Sequence, residues 1–148
     1  MPPPQVISAD QLREALWRAG YETGTWSAAD RRYAMPTREF LHGAFAAALA
    51  SFLYFFELRT WLAEANDCDD FARLAAAFAQ ILHVRTPGRP PATALAVGEF
   101  WYVRDGGQGS HAINLAVIGD EVVAYEPQTR REIQLSATEK LSGTHTRF

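Results

Sequence analysis

Apolar residues recur at helical spacing from the start of the chain. Leu12, Ala15, Leu16 and Ala19 follow the stretch Ser8-Ala9-Asp10-Gln11, and Gly20 suits a stop. The serine and the glutamine three residues after it have the spacing of a capping box. The proline run ahead of them suits extended chain, and residues 1–8 are expected to be disordered. A loop, "GYETGTWS", and a short polar helical piece, "AADRRYA", lead to Pro36. Residues 37–65 then read as a long helical region bent near Gly43. Its most apolar window, residues 44–56, is too short to span a bilayer and is followed at once by Glu57 and Arg59, so a buried helix is expected. Phe71, Leu74, Ala75, Phe78, Ile81 and Leu82 form the next apolar stripe, with Asn66 or Asp67 as N-cap. That places Cys68 in the first turn of a buried helix.

Residues 86–93, "TPGRPPAT", break the helical pattern and connect it to four strand-like runs: "LAVGEFWYVRD", "HAINLAVIG", "EVVAYEP" and "REIQL". Helices come first and strands after. The expected fold is α+β, a helical N-terminal half packed against a C-terminal antiparallel β-sheet, with residues 1–148 forming one domain.

The third and second of these runs bracket Gly119-Asp120, which suits a two-residue hairpin turn. In that register Ile118 faces Glu121, Ile113 faces Glu126 and His111 faces Gln128. His111, Glu126 and Gln128 then share one face, with His111 and Glu126 as diagonal neighbours roughly 7–8 Å apart at the backbone. Asn114 falls on the opposite face. A turn one residue longer would separate His111 from Glu126.

Composition narrows the classes. The chain has 148 residues, 48% of them apolar, and a net charge of −3. No window clusters lysine and arginine with aromatics, so no nucleic-acid footprint is expected. A single cysteine excludes an internal disulfide. With neither a signal peptide nor a membrane span in the sequence, a cytoplasmic protein without membrane contact is expected.

A helix N-terminus lowers a thiol pKa, a nearby imidazolium lowers it further, and a third group orients the imidazole. Cys68, His111 and Glu126 supply those parts for acyl transfer. Each also has a structural reading: Cys68 as a small core residue, His111 as a surface strand residue and Glu126 as a strand-end carboxylate. The aspartates at 67, 69 and 70 oppose thiolate formation. A divalent cation would cancel that charge, and calcium suits carboxylate and carbonyl oxygens. No EF-hand spacing is present, so the site would be assembled from Asp69, Asp70 and the loops near Gln128.

Three segments carry a resemblance: "NDCDDFA" around Cys68, "SHAINLAVI" around His111 and "YEPQT" around Glu126, with 43 residues from Cys68 to His111 and 15 from His111 to Glu126. Over roughly residues 61–129 the sequence resembles the C-terminal papain-like cysteine protease domain of Marasmius oreades agglutinin, a fungal chimerolectin, and related stand-alone bacterial proteins. The resemblance implies a papain-like fold and a calcium-dependent cysteine endopeptidase, a thiol protease cleaving protein or peptide substrates through a thioester. Cys68 would be the nucleophile, His111 the general base and acid, and Glu126 the orienting acid. Asp69 and Asp70 would ligate calcium, with Gln128 a further ligand near the metal. The Cys68 N–H and the Trp61 indole N–H would form the oxyanion hole. A homodimer is a further implication. The β-trefoil sugar-binding domain of the agglutinin has no counterpart in this sequence. Two alternatives stay open: a transglutaminase or amidase using the same triad, and a non-catalytic calcium-binding module.

Overall fold

The computed structural model describes residues 5–60, 62 and 67–148. Five α-helices are present among them: α1 (Ala9–Arg18), α2 (Arg38–Phe40), α3 (Ala46–Phe55), α4 (Cys68–Arg85) and α5 (Ala137–Leu141). Nine strands accompany them: β1 (Val6–Ser8), β2 (Thr25–Ser27), β3 (Arg32–Ala34), β4 (Ala94–Leu95), β5 (Val97–Val103), β6 (Ser110–Ile118), β7 (Glu121–Glu126), β8 (Arg131–Ile133) and β9 (His145–Arg147). The strands form two sheets, one in the order β1-β3-β4 and one in the order β2-β9-β5-β6-β7-β8.

This architecture corrects the expected fold class. The N-terminal half is not a helical layer set against a C-terminal antiparallel sheet. It supplies β1, β2 and β3, and both sheets are mixed: β3 runs parallel to β4, and β2 runs parallel to β9. The segment read as a polar helix becomes loop and β3. Its Tyr33 and Ala34 are buried, and Tyr33 meets the ring of Phe148 edge-on at 6.3 Å, a contact available only from the far end of the chain. Val6–Ser8, expected to be disordered, is ordered as β1 because β3 offers it an antiparallel partner.

Local signals hold where they are short-range. Ser8 Oγ accepts from the Gln11 backbone N–H at 3.2 Å, and Gln11 Oε1 accepts from the Ser8 N–H at 2.9 Å, closing the capping box of α1. The long helical region carries a π-helical segment at Leu41–Phe45, centred on Gly43, between α2 and α3. Ile118 pairs with Glu121 across Gly119-Asp120. No helix among the described residues is long and apolar enough to cross a membrane.

The six-stranded sheet buries both faces. On one, Ile113, Leu115 and Val117 of β6 join Phe100 and Tyr102 of β5 and Leu12 and Leu16 of α1. On the other, Val97, Ala116, Val123 and Tyr125 pack against α3 and α4 through Leu49, Leu53, Phe71, Ala75 and Ala79. The alanines let α4 lie close to the sheet. Two side-chain amides then fix its position. Asn114, fully buried on β6, donates Nδ2 to Ala72 O of α4 at 2.8 Å and to Gly98 O of β5 at 3.1 Å. Gln80 of α4 exchanges two 2.8 Å hydrogen bonds with the backbone of Leu95, acting as a strand neighbour for β4. Gly98 has its own constraint. A Cβ there would lie 2.3 Å from Arg147 O, so only glycine allows β9 and Phe148 to approach.

Arg38 and His42 clamp the segment before α3 to the sheet. Arg38 reaches Glu132 at 2.9 Å and Glu121 at 2.8 Å, and His42 Nε2 reaches Glu132 Oε1 at 2.7 Å. Burial acts to raise the Glu132 pKa, but the bonds and charges of Arg38 and His42 outweigh it and hold the carboxyl below its ordinary value. A depressed folded pKa stabilises above the unfolded value and stops doing so as pH falls through the folded one. Glu132→Gln is therefore expected to lower stability at neutral pH by about 0.5–1 kcal/mol, as for a partly exposed network. The deficit should vanish toward pH 3, measured as urea midpoints against pH; a pH-independent deficit would refute the clamp.

Asn114→Ala is expected to cost about 1–3 kcal/mol, the range for buried groups left without partners. Exposed Gln134→Ala should stay within about 0.5 kcal/mol. Equal losses in chemical denaturation would show that the amide does not tie helix to sheet.

Candidate functional site

The start of α4 gathers acid groups around a thiol. Asp67 is the N-cap and forms a capping box with Asp70, whose Oδ2 accepts from the Asp67 N–H at 3.4 Å. Cys68, half-buried, opens the helix. One ligand atom each from Asp67, Cys68 and Asp69 lie within 4.8 Å of one another. The Asp69 carboxyl is raised above its ordinary pKa. The causes, in order of size, are its hydrogen bond to Asp67, burial, and repulsion from the Asp67 and Asp70 charges. Arg73, one turn on, opposes this from 3.3 Å on Asp69 and 3.6 Å on Asp70. Its Nε also lies 4.0 Å from Glu99, a buried carboxylate of β5.

The hairpin supplies the second half. His111 Nε2 lies 2.7 Å from Glu126 Oε2, with both side chains mostly buried. Glu126 Oε1 accepts the backbone N–H of Gln128 at 3.2 Å, and Gln128 O accepts from Arg130 Nη1 at 3.2 Å. The carboxylate is thereby held on both oxygens. Tyr102 lies directly across from His111 in the β5–β6 ladder, with ring centroids 5.9 Å apart. Burial pushes the Tyr102 hydroxyl up to about 12, and the charges of Glu139, Glu126 and Cys68 add to it. Cys68 and Glu126 thus both act on the phenol that His111 touches, at one end of the sheet.

The faces differ, however. His111 and Glu126 belong to the side covered by α1, as their neighbours Ile113, Leu115 and Ala124 show, whereas α4 covers the other. Cys68 therefore approaches from the end of the sheet. Surface cavities of about 390, 260, 50 and 270 Å³ occur among the described residues, and these are lined by side chains other than Cys68, His111 and Glu126.

His111 and Glu126 are joined directly, and Gln128 supports them through its backbone. Asp69 joins Cys68 and Asp67, while Asp70 is turned to the Asp67 N–H and to Arg73. Trp61 lies outside the described residues. In the sequence Asp67 reads as a cap and as one of three carboxylates opposing the thiolate, not as a cation ligand, and Arg73 is passed over. The signal for Arg73 was its i, i+4 spacing from Asp69. Tyr102 carried no sequence signal, because its relation to His111 depends on the β5–β6 register.

No family model matches this chain, and no curated protein matches it. Solved structures do. One, a PSL1a–E64 complex, superposes with a TM-score of 0.74 at 20% identity over 97% of this chain and 50% of its own. Another is Polyporus squamosus lectin bound to the human-type influenza-binding epitope Neu5Acα2-6Galβ1-4GlcNAc, with a TM-score of 0.73 at 20% identity over 97% of this chain and 49% of its own. The chain spans about half the length of the structures it matches.

These findings correct the family reading. The solved structure named in words is a lectin, and the chain shares the fold of half of it. The expected membership in the papain-like cysteine protease domain of the agglutinin is withdrawn. The assignments as hydrolase and thiol protease with a catalytic triad are not carried forward, because the likeness, at 20% identity over half of a lectin, is one of fold.

The His111–Glu126 pair can be tested as a unit. In a double-mutant cycle with His111→Gln and Glu126→Gln, unfolding free energies should couple by more than about 0.5 kcal/mol, as contacting residues do. Additivity would show that the 2.7 Å contact carries no energy.

Proposed function

We propose that this chain is a calcium-binding module whose cation sits at the first turn of α4. The observation that carries this reading is the convergence of Asp67 and Asp69 oxygens beside Cys68, within 4.8 Å of one another. A hydrogen bond between two carboxyl groups, with one pKa raised, is the arrangement that a divalent cation relieves. The carboxylates are hard oxygen donors and fit calcium. The Cys68 sulfur does not, so in this reading it stays outside the coordination shell. Asp70 and Gln128 are the candidates for completing the shell. For Asp70 that requires giving up its contacts with the Asp67 N–H and Arg73. The fold shared with a lectin makes a saccharide, rather than a peptide, the partner class proposed for the module.

Calcium binding to the native state alone should raise the melting temperature, by the equivalent of about 2.7 kcal/mol at a concentration a hundredfold above Kd. Thermal unfolding of wild type and Asp69→Asn, each with calcium and with chelator, checks it. Wild type should shift and Asp69→Asn should not. Zinc serves as a control for a thiolate site: a shift with zinc alone that Cys68→Ala removes would replace calcium by a soft metal. Equal melting temperatures with calcium and chelator would refute the proposal.

A further inference from the structure

A cleft of about 390 Å³ opens on the far side of the molecule from α4, between α1 and the loop leading into β2. Trp17 lines it and is 74% exposed, so its ring face is open to a ligand. Thr23 and Tyr21 also line it, each more than nine-tenths buried. Neither hydroxyl makes a protein hydrogen bond among the described residues, and neither oxygen is a fully buried one, so both face solvent in the cleft. Burial pushes the Tyr21 hydroxyl up to about 12. Tyr21 is held in place by Lys140 Nζ, 4.9 Å from its ring centroid, and by the edge of Phe100. Thr23 is anchored by its carbonyl, which accepts from Thr146 Oγ1 at 2.8 Å.

Three carboxylates rim the cleft: Asp10, Glu14 and Glu22. Glu14 is engaged by Arg18 at 2.5 Å, and Glu22 Oε1 accepts only a long 3.4 Å bond from the Gly24 N–H. Arg13, the single cation of the lining, is drawn toward Trp26, with its guanidinium 5.8 Å from that ring. The combination is an aromatic platform, carboxylate acceptors and two solvent-facing hydroxyls. It suits a ligand with an apolar ring face and many hydroxyl groups. Excess carboxylate disfavours an anionic ligand.

We propose that this cleft binds a neutral hexopyranose, stacked on the Trp17 indole and hydrogen-bonded by Thr23, Asp10 and Glu22. The site stands apart from the cation site at α4 and rests on its own geometry. It gives a location to the saccharide partner class proposed above.

The test uses the full chain and methyl glycosides of galactose, glucose, mannose and N-acetylglucosamine, each titrated by saturation-transfer NMR and tryptophan fluorescence. At least one glycoside should bind saturably in the millimolar range or below. Trp17→Ala should weaken that binding at least tenfold, and Thr23→Val should weaken it too. Trp17 is exposed, so Trp17→Ala should keep the wild-type circular dichroism and any calcium-induced melting shift. Retention of that shift separates failure here from failure of the calcium reading. Absence of saturable binding by all four glycosides would overturn the proposal, as would binding that survives Trp17→Ala. Tighter binding of a sialylated than of a neutral glycoside would overturn the assignment of ligand class.

Discussion

The side-chain amide of Asn114 joins two layers of the protein. One N–H group ends on the Ala72 carbonyl in α4 and the other on the Gly98 carbonyl in β5. The amide is fully buried, so these bonds are made without competition from water. Ala72 is one turn from Cys68, and the bond therefore sets where the first turn of α4 lies along the sheet. The small side chains of Ala72, Ala75 and Ala79 set how closely it lies, and Gln80 locks the later turns to β4. The position of the acidic cluster follows from this seam.

The hairpin depends on a different constraint, the two-residue turn at Gly119-Asp120. Its register puts Asn114 on the helix side and His111 with Glu126 on the other. One strand thus carries the group that seats α4 and the group that pairs with Glu126, three residues apart and on opposite faces. Both Cys68 of that first turn and Glu126 of the hairpin act electrostatically on Tyr102, although they lie on elements that cover different faces.

Much of the local structure was legible in the sequence. The capping box at Ser8, the start of α4, the hairpin register and the shared face of His111 and Glu126 all rest on contacts between near neighbours or on strand alternation. What was not legible depends on remote partners. β2 has three residues and exists because β9, at the opposite end of the chain, lies beside it. β3 reads as a polar helix until Tyr33 finds Phe148. The acidic cluster was legible as composition, but which carboxylates converge was not: Asp70 is taken by the helix N-terminus and Arg73, leaving Asp67 as the companion of Asp69. The family reading failed for a related reason. Short segments around Cys68, His111 and Glu126 suggested a protease domain, whereas the fold over nearly the whole chain is that of half of a lectin structure.

The central claim is that the first turn of α4 is a cation site built on Asp67 and Asp69. A crystal structure grown in calcium, with anomalous diffraction recorded at long wavelength, tests it most directly. The account predicts an anomalous peak in contact with carboxylate oxygens of both residues and with no bond to the Cys68 sulfur. A first turn that keeps the Asp67–Asp69 hydrogen bond in saturating calcium, with no peak beside it, would contradict the account.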